Sequence, residues 1–201
     1  MTQEKPKLTS GLYLGRFQPF HLGHLKAIDF ALEHCDKLFI GICGANNPPN
    51  KENPFTAPER YDMIVRSLGD KIHLCKAFPI ADKATNEQWM KHIDYVLPKY
   101  DIVFSGNPET LTICESFGKK IWKIPSYERD HLNATNIREL IRTDQPYEQL
   151  LPNGTKNVMG NIDGITRVKT IGTSILCKQC SAVVVPDAKF CSQCGKPVVK
   201  A

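Results

Sequence analysis

The sequence predicts an α/β fold in which helices cover both faces of a parallel sheet, with a small metal-bound unit appended at the C-terminus. Two patterns predict the sheet. Apolar runs of strand length alternate with helical patterns from residue 10 to about 145, and repeated strand–helix alternation builds a parallel sheet between two helical layers. The runs are also nearly continuous in apolar residues, as strands buried on both faces require. The third observation is the cysteine distribution. Cys35, Cys43, Cys75 and Cys114 are scattered, whereas Cys177, Cys180, Cys191 and Cys194 fall within eighteen positions. Such clustering indicates a metal site and not a disulfide framework.

The elements follow in order. GLYLG (11–15) reads as the first strand and HLKAIDFALEHC (24–35) as the helix after it. LFIGICG (38–44) is the second strand, and APERYDMIVRSLG (57–69) is a helix opened by a Thr56–Glu59 capping box. IHLCKAF (72–78), DIVFSG (101–106) and KIWKI (120–124) continue the sheet, separated by the helical stretches NEQWMKHIDYVL and PETLTICESFG. Helical spacing resumes at NIRELIR (136–142), with a short helix expected near 146–151. GNIDGITRVKTIG (160–172) has three glycines and no steady period, so residues 161–174 read as a linker. The expected division is 8–160 for the α/β domain, 161–174 for the linker and 175–201 for the cysteine unit.

Composition narrows the class. The chain has 201 residues, 41% of them apolar, and a formal net charge of +5. No apolar stretch approaches the ~20 residues that span a bilayer, and MTQEKPKLTS lacks the apolar core of a signal peptide. A cytoplasmic protein without membrane contact is expected. The modest positive charge suits an anionic small molecule and is too dispersed to argue for nucleic acid alone.

The chemistry concentrates in GRFQPFHLGH (15–24), directly after the first strand. The dinucleotide fingerprint G-x-G-x-x-G and the G-x-x-x-x-G-K-[ST] phosphate loop are both absent, since Gly118-Lys119 and Gly195-Lys196 lack the upstream half. Instead Pro19 stiffens the loop and Gly23 permits close backbone approach at a helix start. Free amides at a helix N-terminus attract phosphate. His21 and His24 beside them can hydrogen-bond phosphate oxygens and stabilise charge that develops during transfer. A single histidine here would read as a surface or capping residue; two bracketing a glycine favour the phosphate reading. They lack a third ligand nearby for zinc.

GRFQPFHLGH resembles the signature of the HxGH nucleotidyltransferases, which have a Rossmann-like fold. NATNIR (133–138) is similar to their second signature, with Asn133 and Ala134 where Ser and Gly are usual; Asn133 remains a good N-cap. The resemblance implies that His21 and His24 contact ATP phosphates and stabilise the pentavalent α-phosphorus. It also implies that Thr135 and Arg138 meet the β- and γ-phosphates. Gly15, Arg16, Gly106 and Asn107 complete the implied ATP site, with Arg16 and Arg138 joining the histidines in catalysis and Mg²⁺ bridging the phosphates.

NPFTAPER (53–60), PIADKATNEQW (79–89) and DIVFSGNP (101–108) are similar to segments of the archaeal-type nicotinamide-nucleotide adenylyltransferases, a likeness covering residues 11–155. It implies adenylyl transfer from ATP to nicotinamide mononucleotide (NMN), giving NAD and pyrophosphate. It implies an NMN site of Asp82, Asn86 and Trp89, in which an indole face stacks on the cationic pyridinium. A homo-oligomer is expected. Trp89 alone would read as a core aromatic of an amphipathic helix, and Arg60 either reaches phosphate or pairs with a helix-face carboxylate. The loop GANNPPNK (44–51) departs from the Lys- and Ser-containing loop of that family. Alternatives are an HxGH enzyme for another phosphate acceptor (nicotinate mononucleotide, FMN or phosphopantetheine) and an inactive domain serving as a zinc-ribbon adaptor.

Cys177, Cys180, Cys191 and Cys194 form C-x₂-C, ten residues, C-x₂-C, the spacing of two knuckles around one structural Zn²⁺. So short a unit cannot fold on its own core, and the metal must stabilise it. Ribbons of this type also dock protein or nucleic acid. The four scattered cysteines read as small buried apolar residues.

Overall fold

The computed structural model describes residues 8–125, 132–172, 175–177, 179–180, 183–184 and 188–198. Its first strand, β1 (Leu8–Gly15), is central. Helix α1 (Leu22–Leu32) follows, then β2 (Cys35–Cys43), α2 (Ala57–Leu68), β3 (Cys75–Ile80), α3 (Asn86–Val96), β4 (Ile102–Ser105), α4 (Pro108–Ser116) and β5 (Ile121–Lys123). The five strands are parallel and run β3-β2-β1-β4-β5 across the sheet. Strand order reverses between β1 and β4, where a ligand crevice opens beyond the carboxyl ends.

Burial on both faces explains the continuous apolar runs. Along β1, Leu12 and Leu14 enter one core with Ile80, Met90, Ile93 and Val103, while Tyr13 enters the other with Ile28, Ile40, Met63 and Phe104. Alternation along β4 does the same with Val103 against Ile102 and Phe104. The capping box forms: Thr56 N–H donates to Glu59 Oε2 at 2.8 Å and Glu59 N–H to Thr56 Oγ1 at 3.5 Å. The third strand begins later than its apolar pattern suggests. Gly69–His73 coil as a 3-10 turn, with Gly69 at φ +55°, and pairing starts at Cys75.

Helix α5 (Ala134–Arg142) is capped by Asn133, whose Oδ1 accepts from Asn136 N–H at 2.7 Å. The short helix expected near 146–151 is a single 3-10 turn, Glu148–Leu150. Two further helices follow that hydrophobic period did not reveal, α6 (Asn153–Asn161) and α7 (Gly164–Thr170). Small residues seat the start of α6 on α2, ahead of buried Val158 and Met159. A Cβ on Gly154 would lie 2.3 Å from the Arg66 carbonyl carbon, and buried Thr155 meets Ser67 through their hydroxyls at 3.4 Å.

The linker expected over 161–174 is therefore corrected through Thr170. Val168 of α7 is fully buried and Ile165 packs on the same core. Arg167 Nη1 donates to both carboxylate oxygens of Glu59 at 2.7 Å, and Arg142 Nε donates to the Val168 carbonyl at 3.2 Å. Two turns offer too few periodic positions to register as a helix, and long-range ion pairs supply what the pattern lacks. Residues 173–174 lie outside the described residues. Beyond them, β6 (Ile175–Leu176) and β7 (Val183–Val184) pair antiparallel, and Phe190 bridges to Pro197. Among the described residues no helix is long and apolar enough to cross a membrane.

Removing α7 exposes the Val168 and Ile165 contacts, worth roughly 1.5–3 kcal/mol each, and strips Glu59 of its arginine. A chain ending after Asn161 is therefore expected to be roughly 3–6 kcal/mol less stable to urea than one ending after Gly172. Equal midpoints would return 161–172 to the status of a tether.

Candidate active site

A cleft of about 960 Å³ opens at the carboxyl ends of the strands, between the N-termini of α1, α3, α4 and α5. Its walls include Gly15, Arg16, His21, His24, Asp82, Asn86, Trp89, Gly106, Asn107, Thr135 and Arg138. Every residue expected from sequence for the ATP and NMN sites thus borders one cavity.

The loop from β1 to α1 sets the histidines. Phe17 takes a left-handed conformation (φ +52°) and is buried with Phe20. The two rings wall His24, Phe17 edge-on at 4.9 Å and Phe20 stacked at 5.4 Å between centroids. His21 caps α1. Its Nδ1 accepts from Gly23 N–H at 3.1 Å, and its own N–H donates to His24 Nδ1 at 3.2 Å. The imidazoles stack at 3.6 Å.

These bonds assign the tautomers. An Nδ1 that accepts from a backbone N–H carries no proton, so each neutral ring is protonated at Nε2. Neither Nε2 has a partner among the described residues, and the cleft holds two adjacent N–H donors. Burial holds the His21 pKa down at about 4, and burial with the neighbouring His21 holds that of His24 well below its ordinary value. Both rings are neutral donors at physiological pH.

Arg138 rises from the first turns of α5. Its Nη1 donates to the Gln18 carbonyl at 2.8 Å and its Nη2 to Thr135 Oγ1 at 3.3 Å. Its Nε is buried without a partner among the described residues, which fits an anion acceptor beside it. Arg16 is exposed, with Nη2 3.5 Å from Asp82 Oδ2 and Nη1 3.4 Å from Asn53 Oδ1. Asn107 caps α4, its Oδ1 accepting from Glu109 N–H at 3.0 Å. Asn86 opens α3 and is exposed, and Trp89 is half-buried one turn on.

Arg60 takes neither role that sequence offered it. It is 2% exposed and donates to the carbonyls of Arg16 (2.8 Å), Cys43 (2.7 Å), Gly44 (3.1 Å) and Thr56 (3.3 Å). Gln18 was not singled out from sequence. It is buried, with Nε2 donating to the Phe55 carbonyl at 2.8 Å and Oε1 accepting from Phe55 N–H at 2.9 Å. An amide side chain within the otherwise apolar run FQPF is the signal that could have marked it.

Of the scattered cysteines, Cys35, Cys75 and Cys114 are buried, while half-buried Cys43 borders the cleft. Burial raises the Cys43 and Cys75 thiols to about 12 and Cys114 to about 11, so none of these three is a nucleophile. The C-terminal four come together with all sulfurs within 4.8 Å of one another. Sγ–Sγ distances of 3.7 Å for Cys177–Cys194 and Cys180–Cys191 are the edge of a tetrahedron of ~2.3 Å zinc–sulfur bonds. Backbone N–H groups of Gln179 and Cys180 lower Cys177 to about 7, and those of Cys194 and Gln193 lower Cys191. The donor set fits Zn²⁺.

Fold and cleft together define a nucleotidyltransferase, and the family model described as cytidylyltransferase-like matches residues 12–148. Among curated proteins, the nicotinamide-nucleotide adenylyltransferase of Thermococcus sibiricus is 37% identical, the match covering 82% of this chain and 90% of that protein. That of Halobacterium salinarum is 34% identical over 82% of this chain and 93% of its own. A bifunctional NMN adenylyltransferase/ADP ribose pyrophosphatase from Francisella tularensis, solved with AMP and manganese, superposes with a TM-score of 0.65 at 20% identity. It shares the fold over 81% of this chain, which spans about half (52%) of that one. The chain belongs to the nicotinamide-nucleotide adenylyltransferase family.

Neutral burial of His21 has a sign. Its folded pKa lies below 6.5, so as pH falls the unfolded state takes up the proton first. The stability it contributes is complete above pH 6.5 and is lost as pH falls through about 4, roughly 3 kcal/mol in all. His21→Asn keeps an N-cap but does not titrate. Urea unfolding at pH 7, 5.5 and 4 is expected to show a steeper acid loss in the wild type than in this variant. Parallel losses would place His21 in solvent.

Proposed function

We propose that this chain transfers the adenylyl group of MgATP to the 5′-phosphate of NMN, yielding NAD and pyrophosphate. The observation that carries it is the pair of Nε2–H donors of His21 and His24, without partners among the described residues, in a cleft that Arg138, Asp82, Asn86 and Trp89 also border.

An acceptor phosphate oxygen attacks the α-phosphorus, the bond to the β-phosphate oxygen breaks, and pyrophosphate carries away the electron pair. The acceptor phosphate is already a nucleophile, so no general base is required. The chain's task is positioning and charge neutralisation. His21 and His24 donate to non-bridging α-phosphate oxygens, where charge builds in the transition state. Arg138 and Thr135 hold the β- and γ-phosphates, and Arg16 covers the triphosphate from the solvent side. Gly106 and Asn107 flank the adenosine. Among the described residues the cleft gathers no group of three potential metal ligands, so magnesium enters as part of the nucleotide substrate, carried by its phosphates. Trp89 stacks on the pyridinium, while Asp82 and Asn86 hydrogen-bond the acceptor's polar groups.

The cysteine unit binds one structural zinc and forms a module distinct from the transferase body, which the α7 contacts extend to Thr170. The experiment that tests the reading is steady-state assay of the full chain with MgATP and a panel of acceptors: NMN, nicotinate mononucleotide, FMN and phosphopantetheine. NMN is expected to give the highest kcat/KM. A better acceptor elsewhere in the panel would replace NMN while leaving adenylyl transfer in place.

His24→Ala is expected to lower kcat by ~10²–10³, the scale for one transition-state donor. Trp89→Ala should raise KM for NMN far more than KM for ATP; equal rises would make Trp89 a packing residue. Metal analysis should find about one zinc per chain. Stripping the zinc and then assaying with MgATP resupplied should melt the ribbon alone and leave turnover intact, and loss of turnover with zinc would join the ribbon to the catalytic unit.

A further inference from the structure

The turn carrying Asp82 is gripped from several elements. Ala45 N–H donates to the Ile80 carbonyl at 2.9 Å, carrying the β2–β3 pairing past the end of β2. Asn46 then holds the Asp82 backbone in both directions. Its Oδ1 accepts from the Asp82 N–H at 2.8 Å, and its Nδ2 donates to the Asp82 carbonyl at 3.4 Å. From α3, His92 Nε2 accepts from Ala81 N–H at 3.2 Å.

Asn47 addresses the carboxylate itself, its Nδ2 donating to Asp82 Oδ2 at 2.7 Å. Gly44 permits this approach. Its φ of +64° turns the chain, and a Cβ there would lie 3.0 Å from Asn47 Nδ2 and 3.4 Å from Asp82 Oδ2. Arg16 Nη2 approaches the same oxygen at 3.5 Å. Both contacts therefore fall on Oδ2, and Oδ1 has no partner among the described residues.

We propose that Asn47 is a positioning residue for the acceptor nucleotide: by holding Oδ2 it fixes the Asp82 carboxylate so that Oδ1 accepts from an O–H or N–H of that ligand. The inference rests on the proposed function, which puts Asp82 in the acceptor site. A hydrogen bond to a carboxylate is of the strong, orienting class. A neutral amide orients the carboxylate without cancelling its charge. The Arg16 contact is longer and solvent-exposed, and Arg16 is also needed at the donor phosphates. When a nucleotide draws Arg16 away, Asn47 still holds the carboxylate.

Steady-state kinetics of the full chain separate this role from a structural one. Asn47→Ala is expected to raise KM for NMN about tenfold, with kcat and KM for ATP within about twofold of wild type. Because Asn47 acts only through the carboxylate, Asp82→Ala/Asn47→Ala should be no worse than Asp82→Ala alone. Asn47→Asp keeps the shape of the loop but sets two carboxylates against each other, and should raise KM for NMN at least as much at an unchanged melting temperature. Additive effects in the double variant, or a normal KM in Asn47→Ala while Asp82→Ala raises it, would overturn the role of Asn47 alone. A normal KM in Asp82→Ala would overturn the placement of Asp82 in the acceptor site, and the inference with it.

Discussion

One buried cation holds the catalytic cleft together. Arg60 lies under the carboxyl ends of β1 and β2 and bonds four carbonyls, from Arg16, Cys43, Gly44 and Thr56. Those carbonyls belong to the loop after β1, the end of β2 with the residue that follows it, and the cap of α2. Burial lowers its pKa to about 10, which leaves it charged at neutral pH. Carbonyl oxygens around a buried charge replace the water it has lost, and leaving such a charge unsatisfied costs several kcal/mol. The loops are therefore fixed to one another through a single guanidinium. Arg16 presents its side chain to solvent because its backbone is already held from below.

Gln18 performs the same office for a second pair of segments. Its amide closes a two-bond ring with Phe55, and its carbonyl accepts from Arg138. Through Arg138 the loop after β1 is tied to α5, and through Phe55 to the entry of α2. Arg142, one turn beyond Arg138, donates to the Lys51 carbonyl at 2.6 Å and to Val168 in α7. The loop after β1 is thus tied to α5 by a side-chain to backbone bond that spans 120 residues of sequence. Such preorganisation is what electrostatic catalysis requires, because donors that are already fixed need no reorganisation at the transition state.

The sheet and the histidine pair were legible in the sequence because each has a local signal. Strands buried on both faces leave unbroken apolar runs, and His21 and His24 sit three residues apart at a helix start. Asn133 was legible as a cap for the same reason. Features that depend on distant partners were not. Helix α6 presents Gly154 and Thr155 to α2, and small residues carry no periodic hydrophobic signal. Helix α7 is two turns long and held by Arg167 to Glu59, a partner 108 positions away. Arg60 looked like a phosphate ligand or half of an ion pair because a charged residue in a helix is normally solvated or paired. Nothing near it in sequence says that carbonyls from three segments will converge on it.

The charge state of the histidines follows from the same architecture. Arg16, Arg60 and Arg138 already place fixed positive charge around the cleft, and α1 and α5 direct their positive helix ends into it. Two imidazolium ions stacked at 3.6 Å would add repulsion among themselves and against those arginines, in a site walled by Phe17 and Phe20. Backbone N–H donors to both Nδ1 atoms remove that option by occupying the nitrogens where a second proton would go. The rings contribute directed N–H bonds and the arginines contribute charge. A phosphate bound between them meets both without the site having to change its own protonation state, provided the chain keeps the two tasks on different residues. Arg60 and Gln18 keep those tasks apart by fixing which backbone faces the cleft.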